Sequence, residues 1–162
     1  MRIGIGHDIH RLRRGRKLLL GGVSIPHARG LVGHSDGDVV LHALIDALLG
    51  AMGEGDIGDW FPDHAAKTRG VRSGRFFERV KRLLSERRMK IANIDTIIHA
   101  QSPRLGPYKS RIRESLARIA AVPVDRINVK AKTAEGLGAV GEGRALEATC
   151  VVLLEKKRGG GS

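Results

Sequence analysis

The chain of 162 residues is long enough for one domain with a substantial buried core and too short for two of ordinary size. Its 29 Lys and Arg against 17 Asp and Glu give a formal charge of +12, which favours an anionic partner, while three Phe, one Trp and one Tyr are too few for a base-stacking surface on single-stranded nucleic acid. The lone cysteine, Cys150, excludes an intrachain disulfide; with no signal-peptide stretch after Met1 and no membrane-length apolar run, the expected setting is the reducing cytoplasm.

Residues 2–6 alternate with glycine and read as a short opening strand, followed by Asp8-Ile9-His10, whose two polar side chains share one side of an extended backbone. Residues 17–25 are apolar on both sides of Gly21-Gly22 and read as a hairpin or bulged strand pair. A helix is predicted from Ser35, with Asp38 in the capping-box position, to about Gly50–Gly53. Its polar residues Asp38, His42 and Asp46 are spaced i, i+4 and i+8, one stripe on an otherwise apolar cylinder. Residues 53–63 read as a glycine-punctuated acidic loop with the only Trp, and 74–88 as an amphipathic helix with Phe76, Phe77, Val80, Leu83 and Leu84 inward and a solvated basic face. A strand over 91–101, a helix from Pro107 to Ala120, and strands over 127–132 and 145–155 complete the pattern. Residues 158–162 read as a disordered tail or a remnant of cloning.

Charge is segregated along the chain. Residues 67–90 hold ten basic and two acidic side chains, whereas 30–66 hold no Lys or Arg but seven carboxylates and three histidines. Carboxylates and imidazoles without intervening cations suit a divalent metal. Asp8, His10 and His42 are candidate ligands for a tetrahedral zinc site, two from a strand end and one from a neighbouring helix, with the fourth position open. Asp46, one turn after His42, either orients the imidazole or lines the cavity. His34 and Ser35 at the helix start offer donors to a phosphate, although taken alone Ser35 reads first as a plain N-cap. In Lys130-Ala-Lys-Thr-Ala-Glu-Gly-Leu-Gly138, Lys132 and Thr133 are candidate phosphate donors and Glu135 a candidate Mg²⁺ ligand.

The segments Gly4-Ile-Gly-His-Asp-Ile-His10, Gly33-His-Ser-Asp-Gly-Asp-Val-Val-Leu-His42, Ala43 to Gly50, Gly55-Asp-Ile-Gly58, Phe61-Pro-Asp63, Ala100-Gln-Ser-Pro103 and Val129 to Glu135 occur in one order. Together they resemble the 2-C-methyl-D-erythritol 2,4-cyclodiphosphate synthase family over about residues 1–155. The resemblance implies an α+β fold for residues 1–157: two layers, a four-stranded mixed sheet with helices on one face, and a homotrimer around a threefold axis with active sites between subunits. It implies Zn²⁺ on Asp8, His10 and His42, Mg²⁺ or Mn²⁺ on Glu135 with the substrate phosphates, and transition-state stabilisation by His34 and Thr133. The methylerythritol part of a cytidine diphosphate-linked substrate would be held by Asp56, Ile57 and Gly58 and by Phe61, Pro62, Asp63, His64 and Ala65. Its nucleotide would lie against Ala100, Gln101, Ser102, Pro103, Arg104, Leu105, Gly106 and Lys132, and Asp8, His10, His34, Ser35, Thr133, Ala134 and Glu135 would complete the substrate contacts. The implied reaction is cyclisation with release of CMP, a step of non-mevalonate isoprenoid biosynthesis, with neither nucleic acid nor membrane as partner.

Three positions depart from the family pattern: a shorter run, Ala139-Val-Gly-Glu-Gly143, after Gly138; Ala134 in place of Thr or Asn; and Arg104 in place of Lys. Two other readings compete. A phosphohydrolase would use water in place of the internal phosphate. A basic RNA- or membrane-binding module would need aromatics or an apolar wedge beside the cations of 67–90, and the sequence supplies neither clearly.

Overall fold

The computed structural model describes residues 1–33, 35–62 and 73–157. The 158–162 tail and the expectations for His34, Asp63, His64 and Ala65 lie outside them. In chain order the elements are β1 (Arg2–Arg14), β2 (Leu18–Leu20), β3 (Val23–Ile25), β4 (Arg29–Leu31), α1 (Val39–Met52), α2 (Ile57–Trp60), α3 (Ser73–Glu86), β5 (Met89–His99), α4 (Lys109–Ala120), β6 (Ile127–Lys132), α5 (Gly138–Gly141) and β7 (Ala145–Lys156). Pro107 lies in a 3₁₀ turn, Gly106–Tyr108, that leads into α4.

The fold is α+β, and five strands form one mixed sheet in the order β4-β1-β7-β5-β6, with only β5 and β6 parallel. The expected four-stranded sheet is corrected by β4, which pairs with residues 12–14 of β1. Three residues are too few to show a period-two pattern in sequence. The predicted pair over 17–25 forms the separate β2–β3 hairpin.

β1 is far longer than the strand read over 2–6, because it pairs with β7 as far as Arg11 and with β4 to Arg14, and its glycines mark close approach of a helix. A Cβ on Gly4 would lie 2.0 Å from the Ala47 carbonyl oxygen, and one on Gly6 would lie 2.1 Å from that of Ala43. α1 therefore lies directly on β1, which carries Gly4, Gly6, Asp8 and His10 on its helix-facing side. Gly6→Ala is expected to cost about 1–3 kcal/mol by overpacking, measured by denaturant unfolding, and to loosen the site two residues further along the strand.

α1 begins at Asp38 rather than Ser35. The Asp38 carboxylate accepts the Val40 and Leu41 N–H groups as an N-cap, and also those of Gly21 and Gly22 at 2.8 and 2.6 Å, tying the β2–β3 turn to the helix start. Burial raises its carboxyl pKa, opposed by the Gly22, Gly21 and Leu41 N–H groups. Gly53, in the left-handed region, ends the helix.

The core lies between the sheet and the helices. Leu44, Ile45, Leu48 and Leu49 of α1 share one buried cluster with Ile94 and Ile98 of β5, the buried side of β7, Phe77 of α3, and Ile112 and Leu116 of α4. Burial of each such side chain is worth about 1.5–3 kcal/mol. Cys150 is fully buried with its Sγ 3.1 Å from Thr96 Oγ1, and burial pushes its thiol pKa to about 12, so it is a packing residue. On the opposite face of the sheet Ile3, Ile5 and Ile9 of β1 are exposed. No helix among the described residues is long and apolar enough to cross a membrane.

Candidate metal centre and substrate cavity

Asp8 and His10 project from β1 toward α1, where His42 occupies the first turns. His42 Nδ1 and His10 Nε2 each lie 2.9 Å from Asp8 Oδ2 and 3.0 Å from each other. Burial works to raise the Asp8 carboxyl, but hydrogen bonds from His10 and His42, and their charge, outweigh it and hold it well below the usual carboxylate range. Ligand atoms about 2.0–2.1 Å from a tetrahedral zinc are roughly 3.3 Å apart. The observed spacing is slightly tighter than this, so the three donors fit such an ion with little movement.

The second nitrogen of His42 is fixed by partners that sequence reasoning missed. His42 Nε2 lies 2.8 Å from Ser73 Oγ and 2.9 Å from Ser35 Oγ. The Ser73 hydroxyl donates to Asp36 Oδ1, and the Ser73 N–H donates to Asp36 Oδ2. With its proton committed to Asp36, Ser73 Oγ presents a lone pair to His42. The ring proton therefore belongs on Nε2, which leaves the Nδ1 lone pair for a metal. Ser73 starts α3, 31 residues from His42 in sequence, and no local spacing signals the contact. Ser35 is thus buried against the imidazole and is not the cap of α1. Ser73→Ala is expected to weaken zinc binding about 10–100-fold, measured by competition with a chelating dye.

Asp46 makes no hydrogen bond to His42. Its Oδ1 accepts the Ile57 N–H at 3.1 Å, and burial raises its carboxyl pKa, with that N–H opposing and the Asp56 and Asp8 charges adding to the rise. Asp46 thereby anchors α2 beside the triad. The predicted loop of 53–63 contains this short helix, closed by a reciprocal capping box between Asp56 and Asp59. Asp56 and Gly58 are exposed, Ile57 and Pro62 are half-buried and Phe61 is buried.

A second group of expected residues meets elsewhere. Ala100, Gln101, Arg104, Leu105, Gly106, Lys132 and Thr133 line one cavity of about 560 Å³ together with Pro107, Lys109 and Ala131. The Ala100 N–H donates to the Lys132 carbonyl at 2.9 Å and joins its two walls. Ser102 and Pro103 lie outside this lining, and the Ser102 hydroxyl is 3.4 Å from His27 Nε2. Thr133 donates to the Glu135 carboxylate; Glu135 has φ 49°, a left-handed conformation that costs a non-glycine residue energy. The Ala134 carbonyl closes the turn by accepting the Leu137 N–H. The shortened run after Gly138 folds into the single turn of α5. Neither Asp8, His10 nor His42 lines the 560 Å³ cavity.

Fold and triad define an α+β protein with three donor atoms arranged as a candidate metal site and a separate cavity bearing cations. The chain belongs to the YgbB family, which it matches over residues 1–155. It is 48% identical over 158 residues to 2-C-methyl-D-erythritol 2,4-cyclodiphosphate synthase of Fusobacterium nucleatum, covering 98% of this chain and 99% of the relative. Among solved structures, a 2C-methyl-D-erythritol-2,4-cyclodiphosphate synthase in a CDP-bound form superposes with a TM-score of 0.87 at 44% identity, covering 95% of this chain and 100% of that one. The Plasmodium falciparum IspF–CDP complex does so with a TM-score of 0.85 at 34% identity, covering 97% of each chain.

Proposed function

We propose that the chain cyclises 4-diphosphocytidyl-2-C-methyl-D-erythritol 2-phosphate to 2-C-methyl-D-erythritol 2,4-cyclodiphosphate, releasing CMP in non-mevalonate isoprenoid synthesis. The observation that carries this reading is the convergence of Asp8 Oδ2, His10 Nε2 and His42 Nδ1, with the His42 proton drawn to the opposite side of its ring. Two relatives solved with CDP support a cytidine diphosphate-linked substrate.

An oxygen of the substrate's 2-phosphate attacks the β-phosphorus, and the bond to CMP breaks with its electron pair leaving on CMP. Nucleophile and electrophile are both anionic, so the protein's task is neutralisation and in-line positioning. A zinc ion on the triad supplies Lewis-acid stabilisation of phosphate charge. Lys132 and Thr133 donate to phosphate oxygens at the mouth of the nucleotide cavity, and Glu135 offers a carboxylate to Mg²⁺ or Mn²⁺ there. The Thr133 hydroxyl donates to the Glu135 carboxylate, so the two side chains stand together where a phosphate and its divalent ion would be held. His34 stands with Thr133 as a stabiliser of the transition state. Asp56, Ile57, Gly58 and residues 61–65 hold the methylerythritol end.

The working unit proposed is a homotrimer of the 1–157 domain in the cytoplasm, with each site shared between subunits. Two observations support the trimer: the exposed Ile3, Ile5 and Ile9 on the open sheet face, and the separation of the triad from the cavity within one chain. The reaction is tested by incubating the metal-stripped protein with substrate, then restoring Zn²⁺ and Mg²⁺. CMP release that appears only after metal is restored supports the reading; equal release by the stripped protein contradicts it.

A further inference from the structure

α2 has four residues, none of them buried, and a helix of one turn has no stability of its own. Besides the Asp46 bond from α1, its position is set by α3. Phe61 stacks on Phe76, with ring centroids 4.3 Å apart and planes 27° apart. One turn along α3, the Arg79 guanidinium sits 5.0 Å from the Trp60 ring centroid and 5.7 Å from that of Phe61. The Trp60 Nε1–H donates to the Glu54 carbonyl at 2.8 Å, and the Glu54 carboxylate pairs with Arg87 at the end of α3. The basic face of α3, read from sequence as solvated, therefore includes a side chain whose cation covers two aromatic rings.

We propose that Arg79 is a positioning residue for substrate binding: by its cation–π contacts with Trp60 and Phe61 it fixes the 56–61 segment against α3, and so sets affinity for the polyol end of the substrate. This rests on the reading that this segment holds that end. Arg79 acts through the segment and not on the reacting phosphates, so its loss weakens binding while leaving the metal triad and the chemical step in place.

Trp60 is the only tryptophan, which makes its fluorescence a reporter of the contact. Arg79→Ala, Arg79→Lys and the exposed control Arg75→Ala are compared with the wild-type chain by steady-state kinetics, bound-metal content and acrylamide quenching of Trp60. Arg79 is exposed, so Arg79→Ala is expected to raise KM about two- to fivefold, the range of an exposed cation–π contact, to leave kcat unchanged within error, to keep metal content unchanged and to increase quenching. Arg79→Lys restores part of the KM loss, and Arg75→Ala matches wild type. An unchanged KM in Arg79→Ala overturns the inference, as does a joint fall of kcat, metal content and affinity, which would mean general loosening of α3. If the wild-type chain releases no CMP, the proposed reaction fails and the substrate role of Arg79 with it; unchanged quenching with normal wild-type turnover overturns the inference alone.

Discussion

His42→Ala is expected to abolish stoichiometric zinc binding and to lower turnover by about a thousandfold or more, the scale of losing a metal that neutralises transition-state phosphate charge. His42 supplies one of three donor atoms packed 2.9–3.0 Å apart, and Asp8 and His10 alone make a two-donor site on one strand. The same substitution frees the Ser35 and Ser73 hydroxyls from the imidazole, but both retain polar partners, Ser73 in Asp36 and Ser35 in Ser73 and the Gly37 N–H. Global stability should therefore fall little. Metal analysis of the purified variant, set beside its circular dichroism and its CMP release, separates loss of the ion from loss of the fold. A variant that binds zinc as well as wild type would remove His42 from the site.

Asp38→Ala has the largest effect expected on stability, about 3 kcal/mol. One carboxylate serves four backbone N–H groups, two in the β2–β3 turn and two in the first turn of α1, at 2.6–3.2 Å, and it is 1% exposed. Alanine leaves those donors facing a space too buried for ready hydration. Relief from burying a carboxylate, which raises the Asp38 pKa, offsets part of the loss and keeps the expected figure below the sum of four broken bonds. Asp38→Asn retains one acceptor oxygen but turns N–H donors toward N–H donors, so it should recover only part. Urea unfolding at neutral pH measures both. If Asp38→Ala unfolds at the wild-type midpoint, the tie between hairpin and helix contributes nothing.

Much of this architecture is legible in the sequence because it is periodic. The buried apolar set of α3 is the one its spacing predicts, Phe76, Phe77, Val80, Leu83 and Leu84, and β6 spans the residues expected. Asp8, His10 and His42 also come together as expected, since a D-x-H on a strand and a histidine in a helix that crosses it need only one packing contact to converge. The misreadings have a common cause in long-range contacts. β1 is read as ending at residue 6 instead of 14, because what holds residues 7–14 extended is pairing with β7 and β4, strands far along the chain or too short to recognise. Asp38 becomes the cap because Gly21 and Gly22 bring it a second pair of donors, something the local Ser35–Asp38 spacing cannot express. Ser73, held by Asp36, reaches the His42 ring from the start of another helix, and Arg79, exposed as the solvated face predicts, also lies over Trp60 and Phe61, a contact its own helical spacing cannot express. Asp46, read as part of the triad's surroundings, is diverted to the Ile57 N–H by the return of the chain after α1.

The basic charge also takes on a more specific meaning. Lys132, Arg104 and Lys109 gather at the cavity that accommodates a nucleotide in the proposed reaction, while the carboxylates and imidazoles of the triad stand apart from them. A ligand that spans both must be anionic and must present phosphates to cations and metal alike. A nucleotide diphosphate does so without a stacking surface for longer nucleic acid.

The account turns on which oxygen attacks the β-phosphorus, and isotopic water decides it most directly. With zinc and magnesium present, the reaction is run in water enriched in heavy oxygen, and the products are weighed by mass spectrometry. Attack by the internal phosphate predicts one CMP for each cyclic diphosphate and no heavy oxygen in either. A linear product with separate 2- and 4-phosphates and one heavy oxygen would make water the nucleophile at the β-phosphorus, a CMP carrying the heavy oxygen would mean attack by water at the α-phosphorus, and either contradicts the cyclisation.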